Sequence, residues 1–138
     1  MLTTKQSVNP AYLTNDEIGA IVGELCRKNR SRNTRQNLIL FRLAVHCGLR
    51  PSEIVGLNLR HVRTVESEPR ICVPPTIAAK HGARIIPLTW DADTLADLAK
   101  WKIEREKAGA GRSDPFLCSW TMAKLGNRLS IRTAQLRW

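Results

Sequence analysis

Apolar residues recur at three- and four-residue intervals at Ile18, Ile21, Val22 and Leu25, a spacing that lines one face of an α-helix. Ahead of them, Thr14-Asn15-Asp16-Glu17 has the form of a capping box, with two acids where the positive end of the helix dipole favours them; Arg27, Lys28 and Arg30 close the segment with positive charge. A first helix is expected over about 15 to 29. The stretch from Ser31 to Asn37 is polar and basic. After it, apolar residues occupy nearly every face between Leu38 and Cys47, which predicts a second helix buried in the core and ended by Gly48. Pro51 suits the first turn of a short third helix, Pro51 to Leu57, where its missing N–H is not required.

From His61 the period shortens. Val62, Val65, Ile71 and Val73 fall in β-compatible runs around the turn-forming Glu66-Ser67-Glu68-Pro69, so strands are expected at about 62 to 65 and 70 to 73. Ile77 to Lys80 and Arg84 to Leu88 flank His81-Gly82 and read as a hairpin with Gly82 at its tip. Asp91 to Lys107 returns to helical spacing, with Leu95, Leu98 and Trp101 on one face and Asp97, Lys100, Lys102 and Glu104 on the other. Beyond Gly109-Ala110-Gly111 come a short apolar run, Phe116-Leu117-Cys118, a polar turn at 124 to 127, and Ser130 as the cap of a last helix. The fold class is therefore α+β and mainly helical, with helices packed around a small three-stranded antiparallel sheet. A single domain is expected over 1 to 138, residues 1 to 12 forming an N-terminal tail.

Twenty-two Lys and Arg against twelve Asp and Glu give a formal charge of +10, an excess that points to a polyanionic partner. The first ten residues have no signal-peptide pattern, and no apolar run approaches the roughly 18 residues of a membrane span. A cytoplasmic, nucleoid-associated protein with no membrane partner is the expectation. Cys26, Cys47, Cys72 and Cys118 lie far apart among apolar neighbours, form no C-x-x-C pair, and read as reduced core residues, so no metal is expected. The four tryptophans are too scattered for a base-stacking ladder and read as packing residues.

The segment Cys47-Gly48-Leu49-Arg50-Pro51-Ser52-Glu53-Ile54-Val55-Gly56-Leu57 resembles the T-G-L-R-x-S-E-I-x-x-L box of tyrosine recombinases of the phage integrase type, departing only at Cys47. The neighbouring features follow in the family's order: Leu13-Thr14 to Ile18, a strand pair, a lysine-bearing hairpin ending in Arg84-Ile85-Ile86-Pro87-Leu88, a long helix, then Asp114-Pro115-Phe116-Leu117 and Leu129-Ser130. The resemblance implies the front part of a catalytic domain for site-specific DNA recombination and integration. In such enzymes a tyrosine attacks a DNA phosphodiester, and no metal, cofactor or small-molecule substrate takes part. Guanidinium groups suit the phosphorane because their fork matches two of its oxygens. By that resemblance Arg50 is the first catalytic arginine, Glu53 holds it in place by accepting a charge-assisted hydrogen bond, and Lys80 protonates the leaving 5′-oxygen, although the hairpin after Lys80 is one residue short of the usual pattern. Arg27, Lys28, Arg30, Arg32, Arg35 and Arg84 are the expected DNA contacts.

The resemblance stops short of the family's second half, which carries an H-x-x-R box on a helix, a His or Trp, and the tyrosine. His81-Gly82-Ala83-Arg84 meets H-x-x-R by letter but precedes the long helix, and the sole tyrosine, Tyr12, precedes the first. These residues alone are therefore expected not to cleave DNA. Duplex DNA is the expected partner, and uncovered apolar surface would favour a second copy or a full-length recombinase as well. The rival readings are a non-catalytic DNA-binding or regulatory module, for which charge suffices, and an interaction protein with no nucleic-acid role.

Overall fold

Thr14 opens the first helix as expected. In the computed structural model, which describes residues 13–28, 31–79, 82–120 and 125–136, its hydroxyl accepts the Glu17 N–H at 3.1 Å while the Glu17 carboxylate accepts the Thr14 N–H at 2.8 Å. Helix α1, Asn15–Arg27, lies against the second helix as an outer layer, and its stripe of Ile18, Ile21, Val22 and Leu25 is only half-buried. Cys26 is exposed, contrary to expectation, because one step beyond Leu25 turns a side chain out of that stripe. The tail expected over 1 to 12, with Tyr12, lies outside the described residues.

The second helix starts earlier than its apolar pattern indicates. Ser31 caps α2, Arg32–Phe41, accepting the Thr34 N–H at 3.2 Å, so most of the stretch expected to be loop is helix. Two features keep that polar turn helical. Gln36 is fully buried, and its amide spans the backbone of Cys118, donating to the carbonyl at 2.8 Å and accepting the N–H at 3.0 Å. Arg35 forks onto Glu104 at 2.8 and 2.5 Å. Gln36→Leu strands both polar groups of Cys118, and a loss of about 2 kcal/mol in urea unfolding is expected; a loss under 0.5 kcal/mol would mean that water replaces the amide.

Past Phe41 the helix widens into one π turn, Arg42–His46, with the Cys47 N–H reaching the Arg42 carbonyl at 3.1 Å. Gly48, at φ +71°, then reverses the chain, and the Leu49 N–H returns to the Leu43 carbonyl at 3.0 Å, a glycine-centred helix end made one residue wider by the π turn. Leu38, Ile39, Leu40, Phe41 and Leu43 are all buried, as the dense apolar run predicts. Helix α3, Pro51–Gly56, follows, and then a 3-10 turn, Leu59–His61.

The sheet has the three antiparallel strands expected, in the order β1 (Val62–Arg63), β2 (Arg70–Val73), β3 (Arg84–Pro87). Register sets Val62 opposite Ile71 and Val73 opposite Arg84. One expectation fails here: Ile77 to Ala79 is not a strand arm. Pro74 and Pro75 lack the N–H groups a ladder needs, and the chain turns instead, with the Ile77 and Ala78 N–H groups bonded to the Pro74 carbonyl at 3.2 and 3.0 Å. Ile77 packs over Gly56, where an added Cβ would stand 2.8 Å from its Cγ2.

Asp91 caps the long helix α4, Ala92–Lys107, through the Asp93 and Thr94 N–H groups. Leu98 and Trp101 enter the core as expected, but the opposite face is less solvated than its charges suggest. Asp97 accepts from buried Arg42 at 3.0 Å, Glu104 pairs with Arg35, and the Lys102 ammonium donates to the Val62 carbonyl at 2.8 Å. Trp101 and Arg105 hold the following segment by its carbonyls, Phe116 at 2.8 Å and Pro115 at 2.6 and 3.1 Å. Ser130 caps the last helix, α5, Ile131–Leu136, which packs on α3.

Candidate active site

Arg50 is the N-cap of α3, exposed at the point where Gly48 has turned the chain. Its carbonyl accepts the Glu53 and Ile54 N–H groups at 2.9 Å, and the Glu53 carboxylate reaches back to its N–H at 3.0 Å. Proline at the next position fixes the backbone in the helix-entry geometry.

Glu53 has no solvent exposure. A buried carboxylate must be matched by donors, and among the described residues four N–H groups converge on it. Besides the Arg50 N–H, the Ala79 N–H donates to Oε2 at 2.9 Å, and the Arg84 guanidinium forks onto both oxygens at 2.7 and 2.8 Å. Hydrogen bonding from Arg84 holds the Glu53 carboxyl down at about 2, against a desolvation that would raise it; the Ala79 and Arg50 N–H groups add to the lowering. The charge-assisted partner of Glu53 is therefore Arg84, and Arg50 is held through its backbone.

Three segments meet on this one carboxylate: the start of α3, the end of the loop after Pro74, and the start of β3. Ala79 and Gly82 flank residues 80 and 81, and the Gly82 carbonyl accepts from Arg84 at 3.1 Å. Lys80 itself lies outside the described residues, as does Arg30. Arg84, expected to contact DNA, keeps its side chain 23% exposed while its guanidinium is committed to Glu53.

The rest of the basic run is divided between two acids. Arg27 and Lys28 are exposed and pair with Glu24, the latter at 3.6 Å. Arg35 is paired with Glu104; Arg32 stands 3.9 Å from that carboxylate and stacks 5.1 Å from the ring centre of Trp120. Arg128 escaped sequence reading. Its guanidinium closes the C-terminal end of α3 through the Val55 carbonyl at 2.7 Å and the Asn58 side chain at 2.6 Å, which suits a cation at a helix C-terminus. No spacing rule links it to Val55, 73 residues earlier.

Burial pushes the Cys47 thiol up to about 12 and raises that of Cys118 as well, so neither is a ready nucleophile. Among the described residues, no group of three or more His, Cys, Asp and Glu side chains is placed to hold a metal ion.

The structure is thus a mainly helical α+β domain in which a buried glutamate joins the helix start at Arg50 to the neighbouring sheet. The chain matches the phage integrase family over residues 11–138 and belongs to it. This is the tyrosine recombinase family, whose work is DNA recombination and integration and whose partner is DNA. No curated protein matches the chain.

Proposed function

We propose that this chain supplies the first-half phosphate machinery of a tyrosine recombinase, with Arg50 and Lys80 facing one DNA phosphate. The observation that supports it is the Glu53 carboxylate, which bonds the Arg50 and Ala79 N–H groups and so ties the residue before Lys80 to the candidate arginine. Arg50 neutralises charge on the phosphorane, Lys80 protonates the 5′-oxygen as it leaves, and Glu53 with Arg84 positions both. A tyrosine supplies the attacking oxygen in this chemistry, and Tyr12 is not in the family's place for it. The isolated 138 residues accordingly bind duplex DNA without cutting it. On a nicked suicide substrate no covalent protein–DNA adduct is expected; trapping one on Tyr12 would overturn the assignment.

The second reading, a non-catalytic DNA-binding or regulatory module, has the +10 charge in its favour. Salt titration of duplex binding separates the two. Each phosphate contact contributes about 0.9 to the slope of log K against log salt. If Arg50 meets a phosphate, Arg50→Ala flattens that slope by about one contact, whereas Lys107→Ala, on the exposed end of α4, leaves it unchanged. Equal, small effects of both substitutions favour the module driven by charge alone.

A further inference from the structure

We infer that the chain carries a second phosphate-binding site, separate from Arg50, in a cavity of about 330 Å³ between the 3-10 turn, the β1–β2 hairpin and the C-terminal half of α4. Its charged lining is Arg60, Arg63, Lys102 and Arg112 against Glu66 and Glu106. Like charges gather there because the backbone puts them there. The Arg60 N–H donates to the Arg112 carbonyl at 3.0 Å, so two arginine stems leave from hydrogen-bonded neighbours, while antiparallel register sets Arg63 beside Arg70.

The acids do not cancel this charge. Glu66 stands 3.6 Å from Arg63 and 3.2 Å from Arg70, dividing one carboxylate between two guanidinium groups. Lys102 is anchored through the Val62 carbonyl at 2.8 Å, which holds its ammonium at the cavity wall. Behind the wall, the His61 Nδ1 accepts the Asn58 N–H at 2.9 Å, the pattern of a neutral imidazole. Burial lowers the His61 pKa, and the nearby charges of Arg60, Arg128 and Arg63 lower it further, a sign of the positive field at this end of the domain.

Guanidinium forks and an ammonium in a concave setting match the tetrahedral oxygens of a phosphate, and Glu106 offers an acceptor to a hydroxyl beside it. The cavity does not share the phosphate of Arg50. Its wall includes Arg63, paired with Arg70 at one end of the sheet, whereas the Glu53 cluster sits at the Val73–Arg84 end, three residues along β2 or roughly 10 Å away. The inference does not depend on the role proposed for Arg50.

Two sources present this chemistry, the backbone of bound DNA and a free phosphate compound, and one titration tells them apart. Inorganic phosphate is added to isotope-labelled chain while the arginine Nε–H resonances are followed, alone and with a short duplex present. Expected is a joint shift of Arg60, Arg63 and Arg112 with a dissociation constant near or below ~1 mM, weakened about tenfold or more by Arg112→Ala and unchanged by Arg50→Ala. Competition by the duplex identifies DNA backbone as the ligand; independence from the duplex identifies a free phosphate compound. Shifts that track ionic strength alone, or an Arg112→Ala chain that binds phosphate as well as the parent, would overturn the site. The resonance titration reads the unaltered chain and stands whether or not a variant folds.

Discussion

Glu53→Ala destabilises the domain by about 3–5 kcal/mol, the range seen when one partner of a buried ion pair is removed and the other is left uncompensated. The loss is large because one side chain serves four donors. Without it the Arg84 guanidinium keeps, among the described residues, the Gly82 carbonyl as its acceptor, and the N–H groups of Arg50 and Ala79 lose theirs. Guanidinium chloride unfolding of the parent, Glu53→Ala and Glu53→Ala/Arg84→Met measures it. The double variant recovers part of the loss, because removing both charges relieves the stranded cation. A single-variant cost under 1 kcal/mol, or a double variant less stable than either single, would refute the account of Glu53 as the junction of the site.

The same junction shows how far the sequence can be read. The box from Gly48 to Leu57 made the helix end at Gly48 and the start of α3 legible, since a Gly at a positive φ, Pro at the first helical turn and an acid three residues after the cap each have a local cause. Arg84 had no local signal as a partner. It stands thirty-one residues from Glu53, and only the sheet register that sets it opposite Val73 brings it to the carboxylate. A buried acid in that box does demand a cation, so the need was legible and the donor was not.

Elsewhere the apolar period failed where burial is polar. The first turns of α2 have no apolar stripe, because their inward contacts are an amide on the Cys118 backbone and a guanidinium on Glu104. A pattern that counts apolar side chains reads such a turn as loop. The Ile77 to Ala79 segment failed for the opposite reason: Ile77 and Ala78 are partly buried against the core, Ile77 over Gly56 in the last turn of α3, without any strand. In both places tertiary contact decides what local preference leaves open.

Acid is the second lever on the Glu53 junction, and its sign follows from the direction of the carboxyl's displacement. Folded, Glu53 titrates near 2 rather than 4.5, with the hydrogen bonds from Arg84 as the first cause. At roughly 1.4 kcal/mol per pKa unit this amounts to about 3 kcal/mol of stability, fully present above the unfolded value and lost as pH falls through the folded one. The histidines act in a different window. His46 and His61 are both held below their ordinary value, chiefly by burial, so the unfolded chain takes up their protons first and stability begins to fall once pH drops below about 6.5. Both effects run in the same direction, so the parent loses stability in two stages on acidification. Glu53→Gln keeps the side chain's shape and one acceptor oxygen but cannot titrate, so it removes Glu53's share of the lower stage and leaves the histidine stage in place. The difference in unfolding free energy between parent and Glu53→Gln, followed from pH 7 to pH 2, is therefore flat down to about 4.5 and then shrinks toward the acid end. A difference that stays constant across that lower range would mean that the folded Glu53 carboxyl is not held below its unfolded value, and the account of its pairing with Arg84 would have to be abandoned.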